Sequence, residues 1–316
     1  MMTPSLDIIV VNWNAGLQLR DCLQSIVSAD RSGFTIGRVV IVDNASTDES
    51  LDGLESMRLP LAVIRNPDNR GFGAAFNQGL IGSQADYVLN LSPDARLFSD
   101  SLARTIEFME APENKRVGIC GVQLLDSTGN PAKHCARFPK PSHFLSKTLG
   151  LEKIMPGLFE SYFMSEWDHR DSRIVDHVMG AVIVVRRSLF ETLGGFDEHF
   201  FLYLEDLDFS LRARQAGWLS YFLTGTQAYH KGGGTTEQVK VKRLFYSLRS
   251  RILYSYKHFS WFGTTAVTLA TLFVEPVSRT LLALSRGSLA QARDTLMAYA
   301  MLWRSLAQDL ANRRCG

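Results

Sequence analysis

The chain is poor in cysteine, and its cysteines form no recognisable pattern. The 316 residues contain four, Cys22, Cys120, Cys135 and Cys315, with no CxxC pair and no spacing typical of metal ligands. We therefore expect reduced thiols and a cytoplasmic protein, because disulfides form in oxidising compartments. The short, uncharged start, Met1–Ser5, lacks the features of a secretory signal peptide.

The chain also lacks an excess of charge of either sign. Its 34 Lys and Arg residues against 32 Asp and Glu residues give a net charge of +2, whereas dedicated nucleic-acid-binding domains are strongly basic. We expect no nucleic-acid partner. Hydrophobic residues make up 46% of the chain, which is typical of a globular protein with a sizeable core.

A third absence is the glycine signature of dinucleotide-binding enzymes. In those enzymes the first strand is followed by G-x-G-x-x-G. Here the first apolar run is followed by Asn12–Leu17, which reads Asn-Trp-Asn-Ala-Gly-Leu. The alternation of strands and helices described below would suit an oxidoreductase of that class, but the missing signature argues against it.

No apolar run in the sequence is long enough to cross a membrane. The stretch Trp261–Val274 is almost uncharged, but it has about fourteen residues where a span needs roughly twenty. Glu275, Pro276 and Arg279 interrupt it, and the preceding segment Lys231–His258 is basic. Two interpretations stay open. The helices could pack on the main domain, or they could form an interfacial membrane anchor whose basic side faces anionic lipid. The basic run and the apolar run are adjacent, which favours the anchor.

The first hundred residues contain a regular alternation of apolar runs and amphipathic segments. Unbroken apolar runs that alternate with helices indicate a parallel sheet buried on both faces. The predicted strands are Leu6–Val11, Arg38–Val42, Leu61–Ile64 and Tyr87–Leu91, and the predicted helices are Leu17–Val27 and Phe72–Ile81.

Polar residues follow each of these four strands. They are Asn12 and Asn14, then Asp43 and Asn44, then Arg65 and Asn66, and finally Ser92, Pro93 and Asp94. In open α/β sheets, ligands bind at the carboxyl ends of the strands. The sequence therefore predicts a site at this edge of the sheet.

The rest of the chain gives weaker signals. Residues from about Pro112 to Arg173 show no regular pattern. Beyond them we expect a strand at Ile174–Val185, a helix at Leu207–Gly217, and short strands near Leu219–Leu223 and Gln227–His230. From Val239 onward the chain reads as helical, and its last helix aligns one apolar stripe: Leu296, Tyr299, Trp303, Leu306 and Leu310.

An acidic cluster is the most informative motif. Glu205, Asp206 and Asp208 stand where a mostly apolar run ends and a helix begins. Acidic residues complement the positive end of a helix dipole, which is the simple structural interpretation. Carboxylates at the mouth of an apolar element also cost free energy unless they pair, bind a cation or take part in chemistry.

Two segments early in the chain carry groups that suit a nucleotide. Helix capping by Ser46 or Thr47 accounts for Ser46–Glu49 but not for Asp43. The carboxylate of Asp43 can accept hydrogen bonds from a base or a ribose. Farther along, Arg70, Gly71 and Gly73 precede a helix, where exposed N–H groups favour anions.

Two later segments carry groups that suit a cation and a diphosphate. Asp94, at a strand end, can ligate a hard divalent cation together with diphosphate oxygens and waters, although a turn aspartate after proline is the commoner explanation of this motif alone. His230 and Lys231 lead into a triple-glycine segment that can order on a bound diphosphate, although a lone histidine is more often structural.

In their order along the chain, these motifs resemble those of the family-2 glycosyltransferases, and within them the bacterial rhamnosyltransferases that build lipid-linked polysaccharide. The resemblance implies an α/β protein with a GT-A nucleotide-sugar-binding domain at residues 1–238, with a nucleotide-sugar half to about 111 and an acceptor half at about 112–238. A helical extension would follow at 239–316. The motifs concerned are Val10–Asn14, Val42–Asp48, Asn69–Gly73 with Asn77, Leu91–Asp94, Gly194–Arg212 and His230.

The resemblance also implies a role for each residue. Asp206 would be the general base that deprotonates the acceptor hydroxyl. Asp94 and His230 would lie at an Mg²⁺ or Mn²⁺ ion. Many relatives have Asn or Asp where this chain has Ser92, which weakens the expectation of tight metal binding. The donor-binding residues would be Asn12, Asn14, Asp43, Asn44, Arg70, Gly71, Gly73, Ser92 and Lys231.

The implied reaction is inverting transfer of a sugar from a nucleotide-diphosphate donor. The expected sugar is L-rhamnose from dTDP-rhamnose, with a UDP- or GDP-sugar as an alternative. The expected acceptor is a hydroxyl of a glycan or a polyprenyl-diphosphate-linked saccharide, at the inner face of the cell membrane. A non-catalytic nucleotide-sugar-binding relative is the other alternative, and the presence of Asp43, Asp94, Asp206 and His230 together argues against it.

Overall fold

The computed structural model describes residues 3–155, 157–232 and 239–314, which form two compact units. The sheet unit comprises Met1–Phe138, Phe163–Phe201 and Glu205–Thr235. The helical unit comprises Pro139–Tyr162, Leu202–Leu204 and Thr236–Gly316. The domain boundaries expected from the sequence stay a prediction.

The described residues contain eleven strands and eleven α-helices. The strands are β1 (Ser5–Asn12), β2 (Thr35–Asp43), β3 (Leu61–Arg65), β4 (Tyr87–Leu91), β5 (Ala95–Leu97), β6 (Val117–Leu125), β7 (Cys135–Ala136), β8 (Arg173–Val175), β9 (His177–Val178), β10 (Val182–Arg186) and β11 (Leu219–His230). The helices are α1 (Leu17–Val27), α2 (Phe72–Leu80), α3 (Ser101–Glu110), α4 (Pro141–Leu149), α5 (Leu151–Ile154), α6 (Arg187–Leu193), α7 (Glu205–Gln215), α8 (Lys240–His258), α9 (Trp261–Leu269), α10 (Glu275–Ser285) and α11 (Leu289–Arg314).

One mixed sheet organises the sheet unit. Its strand order is β3-β2-β1-β4-β10-β6-β11-β5, and β8 pairs with β11. Neighbours from β3 to β4 are parallel, β10 is antiparallel to β4 and β6, and β11 is parallel to β6. Six strands therefore run in one direction against β10, β5 and β8. The predicted α/β fold with a mostly parallel central sheet and C-terminal helices is confirmed.

Both faces of the sheet are apolar, which explains the unbroken hydrophobic runs. Ile8 and Val10 of β1 enter one core with residues of α1 and α3, whereas Ile9 enters a second core. Aromatic residues of α2, α6 and α7 fill the second core, where the Phe190 and Phe209 rings stack with centroids 4.7 Å apart. Side chains alternate between the faces of a strand, so a strand covered on both sides needs apolar residues at every position.

Two expectations about the middle of the chain are wrong. The segment read as irregular contains β6, a buried strand inside the sheet. The single strand expected at Ile174–Val185 is three short strands, because Asp176 and the Met179–Ala181 turn divide it. β8 and β10 join the large sheet, whereas β9 pairs with β7.

The helical unit corrects a third expectation. Helix continues from Trp261 to Ser285 through a π-helical segment at Ala270–Val274, so Glu275, Pro276 and Arg279 do not end it. Pro276 follows directly after the π-helical segment, where the regular helical hydrogen-bond pattern is already interrupted. This stretch of 25 residues is long and apolar enough to cross a membrane by length and composition alone, a property it shares with core helices of soluble proteins.

The last helix is buried along a different line from the predicted one. Ala298, Tyr299 and Leu302 enter the core of the helical unit with Phe245, Leu248 and Ile252 of α8. Leu306 packs at its edge, but Leu296 and Trp303 are exposed. The side chain of Leu310 lies outside the described residues. The predicted stripe is therefore only partly a core stripe.

Candidate active site

The parallel strands bring the predicted polar residues to one edge of the sheet. Asn12 is paired with Asp43 across β1 and β2, and Asp43 is paired with Arg65 across β2 and β3. The three strands therefore end in register. The prediction that these strand ends meet at one edge is confirmed.

Asp43 is the acceptor at the centre of a buried hydrogen-bond network. Its Oδ1 accepts from Asn12 Nδ2 at 2.8 Å and from Ser46 Oγ at 2.6 Å, and its Oδ2 accepts from Ser46 N at 3.2 Å. The Asn12 amide also donates to Ser50 Oγ at 2.8 Å. Both side chains are buried. These contacts fix the loop after β2, and the predicted contact of Asp43 with a nucleotide stays a prediction.

Asn14 and Asn44 connect the loops around this network. Asn14 has a φ of +50° and accepts from Thr47 N at 2.7 Å. Asn44 donates to Gly71 O at 3.0 Å and accepts from Asn66 Nδ2 at 2.9 Å. Asparagine suits such positions because it tolerates the left-handed region and bonds the backbone on both sides. Their side chains hold the shape of the predicted nucleotide-binding edge.

Packing requires glycine at position 71, before α2, and leaves little room at position 73, in the first turn of α2. Gly71 has a φ of +84°, and a Cβ atom there would lie 2.4 Å from Phe201 O. Its N–H donates to Asn69 Oδ1, and the next N–H donates to Phe201 O. A Cβ at Gly73 would lie 3.3 Å from that of Phe196. The predicted diphosphate contact of these two glycines and the exposed Arg70 stays a prediction.

Asp94 and His230 are brought together by the antiparallel pairing of β5 and β11. His230 Nε2 lies 3.2 Å from Asp94 Oδ1, and Lys231 N donates to Asp94 O at 3.2 Å. The Lys231 side chain is exposed. Ser92 N donates to Ala181 O at 2.8 Å. The segment after Gly232, read as a diphosphate loop, falls at 233–238, outside the described residues.

The Asp94–His230 pair can supply two ligands to a metal ion. A carboxylate and an imidazole suit Mn²⁺, and the carboxylate also suits Mg²⁺. Within residues 3–155, 157–232 and 239–314, no group of three or more His, Cys, Asp or Glu side chains could hold a metal. A pair of protein ligands suits an ion that takes its remaining ligands from substrate oxygens and water, as Mg²⁺ usually does.

Asp206 lies in the first turn of α7 with both carboxylate oxygens engaged. Oδ2 accepts from Gly180 N at 3.0 Å and Oδ1 accepts from Leu207 N at 2.8 Å, while His177 Nε2 lies 3.5 Å from Oδ2. Burial opposes ionisation, but His177 and the two N–H donors outweigh it and lower the pKa of Asp206 below its ordinary value. The side chain is still 19% exposed, so an ionised carboxylate is accessible from solvent.

The two neighbouring acids differ from Asp206. Burial, reinforced by Asp206, raises the pKa of Glu205 well above its ordinary value, and its buried Oε2 has no hydrogen-bond partner among the described residues. Asp208 is fully buried and pairs with Arg212, whose Nε lies 2.8 Å from Oδ2. Environments that push neighbouring carboxyl groups apart in pKa are typical of acid–base sites.

Sequence reasoning missed His177 and Gly180, which contact Asp206, and Asn90, which contacts Gly180. A Cβ at Gly180 would lie 3.2 Å from both Asp206 Oδ2 and Asn90 Nδ2, and Asn90 donates to Gly180 O. His177 is buried, and its Nδ1 lies 2.9 Å from Ser210 Oγ. The only sequence signal was a histidine and a glycine inside the apolar run at 174–185.

The backbone immediately before α7 is strained. Tyr203 has a φ of +70° and Leu204 a φ of +68°, a region that bulky residues rarely adopt. Such strain concentrates at functional sites and costs about 1–3 kcal/mol per residue.

A family model describes the part of the chain that carries the earlier motifs, and it ends before Asp206 and His230. The model of glycosyl transferase family 2 matches residues 7–194. A Mycobacterium tuberculosis protein described as N-acetylglucosaminyl-diphospho-decaprenol L-rhamnosyltransferase is 26% identical over 98% of both chains. The O-antigen chain rhamnosyltransferase WbaN of Salmonella anatum is 27% identical over 74% of this chain and 69% of its own.

Solved structures match the fold over most of the chain. The mannosyltransferase PcManGT from Pyrobaculum calidifontis, in complex with GDP-Man and Mn²⁺, has a TM-score of 0.55 at 18% identity and covers 98% of this chain and 81% of its own. TarS 1–349 of S. aureus, in complex with UDP-GlcNAc, has a TM-score of 0.56 at 16% identity and covers 93% and 79%. The fold is therefore of the GT-A type.

Proposed function

The chain belongs to glycosyl transferase family 2, and from this premise we propose that it transfers L-rhamnose from dTDP-rhamnose to a saccharide hydroxyl in cell-surface glycan synthesis. The acceptor is a glycan or a polyprenyl-diphosphate-linked saccharide, reached at the inner face of the cell membrane. The names of the rhamnosyltransferase relatives motivate the sugar and the lipid. The single observation that carries the reaction is the partly exposed carboxylate of Asp206, held by two backbone N–H donors and by His177, which lower its pKa.

The proposed reaction is one displacement with inversion at the anomeric carbon. Asp206 accepts the proton of the acceptor hydroxyl, and that oxygen forms the new bond to the anomeric carbon. The bond from this carbon to the diphosphate breaks, and its electron pair leaves with the nucleoside diphosphate. No covalent enzyme intermediate is needed, so the only reactive group required at the acceptor is the base.

The Asp94–His230 pair is proposed to face the diphosphate. Mg²⁺ or Mn²⁺ held there would neutralise charge on the leaving group. The Gly180–Ala181 backbone connects this region to the base, because Gly180 N donates to Asp206 and Ala181 O accepts from Ser92 N. A leaving-group site and a base at the same sheet edge is the arrangement that a direct displacement requires.

Replacing Asp206 by Asn tests the base. We expect Asp206→Asn to lower the rate of sugar transfer about 1,000-fold while nucleotide affinity is unchanged. Asp197→Asn is the matched control, since both carboxyl side chains are 19% exposed. Transfer rates and nucleotide titrations on both variants provide the measurement, and full activity of Asp206→Asn would refute the assignment.

The donor is tested by thermal shift. Purified protein is heated with dTDP, UDP, GDP or NAD, each with and without Mn²⁺, since a ligand raises stability according to its excess over its Kd. We expect the largest Mn²⁺-dependent shift with dTDP. A larger shift with UDP or GDP would name another donor class, and silence throughout would favour a non-catalytic relative.

A further inference from the structure

The long helix of the helical unit has an inverted distribution of polarity. Over α9, the π-helical segment and α10, one line of residues at intervals of four is exposed and apolar: Leu269, Phe273, Val277 and Leu281. A soluble amphipathic helix turns such residues toward the core and its charged residues toward water. Phe273 is 57% exposed and Leu281 is 61% exposed.

The inner side of the same helix carries polar groups. Thr271 and Glu275 are buried. Glu275 pairs with the buried Arg251 of α8, and its Oε1 accepts from Arg279 Nε at 2.7 Å. Thr148 of α4 donates to Glu275 Oε2 at 3.3 Å. A helix that faces lipid typically turns its polar side chains toward the protein interior and its apolar side chains outward.

The apolar surface continues beyond this line. Trp303 of α11 contacts Phe273, with ring centroids 5.3 Å apart, and both rings are substantially exposed. Trp261 and Phe262 open the helix at 79% and 72% exposure. Contiguous exposed apolar surface of this kind marks an interaction site.

Charge indicates which partner covers this surface. Residues 240–316 contain twelve Lys and Arg against three Asp and Glu, a net charge of +9, whereas residues 1–239 contain 22 against 29, a net charge of −7. The exposed Lys257 and Arg286 flank the apolar stretch. Two copies of so basic a segment repel each other, whereas an anionic lipid surface attracts it.

We propose that the exposed face of Trp261–Ser285, continued by Trp303, is a membrane-contact surface that inserts its apolar side chains into an anionic phospholipid leaflet. Only the biological purpose of this contact rests on the proposed function, in which a lipid-linked acceptor lies in the same leaflet. The contact combines burial of apolar side chains with attraction of basic residues to lipid headgroups. It concerns the helical unit alone.

Vesicle co-sedimentation of the full chain tests the surface. The probe is vesicles of phosphatidylglycerol and phosphatidylcholine in equal parts, compared with phosphatidylcholine alone. We expect binding to the anionic vesicles that weakens at high salt. The double substitution Phe273→Glu with Leu281→Glu should weaken that binding at least about tenfold. Ile81→Glu is the matched control, because Ile81 is an exposed apolar residue of the sheet unit, and it should leave binding unchanged.

Three outcomes would overturn the inference. They are no binding of the unaltered chain to anionic vesicles, binding undiminished by the double substitution, and a dimer in sedimentation analysis without lipid that the same substitutions dissociate. Sugar transfer to a water-soluble acceptor is measured in parallel. A chain that transfers sugar without binding vesicles refutes the surface alone, and one that binds vesicles without transfer refutes only the proposed reaction.

Discussion

Asp43, at the end of β2, and Asp206, in the first turn of α7, both belong to the sheet unit, yet their surroundings differ. Asp43 is bound by side chains of its own loop and of β1, and its network stabilises a turn. Asp206 is held by backbone N–H groups and one histidine while its side chain stays partly open to solvent. The first arrangement builds a scaffold, and the second leaves a carboxylate of lowered pKa partly open to solvent, as the proposed base requires.

The difference teaches that the segments most conspicuous in the sequence are not necessarily the ones that carry a reactive group. The segments around Asp43 and Gly71 are easy to see in the sequence because tight turns demand particular residues. The groups around Asp206 come from β4, β9 and α7, which are far apart in the chain. Substitutions at the scaffold should therefore change stability, and substitutions around the reactive group should change kinetics.

Gly71→Ala should have the largest effect, and it should fall on stability. The Cβ would lie 2.4 Å from Phe201 O at a φ of +84°, so we expect unfolding to become easier by more than about 3 kcal/mol. Gly82→Ala is the control, because Gly82 also has a positive φ but its nearest atom is 4.0 Å away. It should cost about 1 kcal/mol in the same urea titration. Equal costs would remove the packing explanation.

The local pattern of apolar and polar residues predicted those strands and helices whose formation depends mainly on that pattern. β1 and β4 and their polar ends were predictable because a strand buried on both faces must be apolar throughout, and α1 has its predicted bounds, Leu17–Val27. β6 is equally apolar but was missed, because its surroundings gave no alternation with helices. The division of 174–185 depends on which partner each short strand finds, and that is not encoded within the segment.

The candidate site shows the same limit. Asp43, Asp94, Asp206 and His230 were singled out from motif order. The structure brings Asp94 to His230, but the roles proposed for these residues stay predictions. His177 and Gly180 could not be found, because their importance follows from where the β9–β10 turn meets α7. The polarity of the Trp261–Ser285 helix was hidden too, since Glu275 and Arg279 looked like interruptions until their partner Arg251 was placed.

His230→Ala should have a smaller effect that falls on kinetics. Under the proposed metal role, loss of the imidazole should lower transfer about tenfold, with the deficit reduced at high Mn²⁺ concentration. Stability should barely change, since the side chain is partly exposed. His199→Ala is the control, because His199 also contacts an aspartate, Asp197 at 2.7 Å, but is largely exposed. Equal activity of the two variants at limiting Mn²⁺ would contradict the metal role.

His177→Gln should have the smallest effect at neutral pH and a specific one in acid. His177 helps to lower the pKa of Asp206, and a lowered pKa keeps the base ionised, and the enzyme active, down to lower pH. Removing the imidazole should raise that pKa, so the acid limb of the pH–rate profile should move to higher pH. At pH values well above the acid limbs of both the wild-type and the variant profile, the rate should be nearly unchanged.

The other charged groups near Asp206 make this test specific. Glu205 and Asp208 lie on the same helix, and burial, reinforced by Asp206, raises the pKa of Glu205. These acids disfavour a second charge, so His177 is the side chain that favours ionisation of Asp206. Ser210→Ala, which removes the contact at His177 Nδ1, should move the limb in the same direction by less. A variant that loses stability but keeps the wild-type acid limb would show that His177 supports the fold and leaves the base untouched.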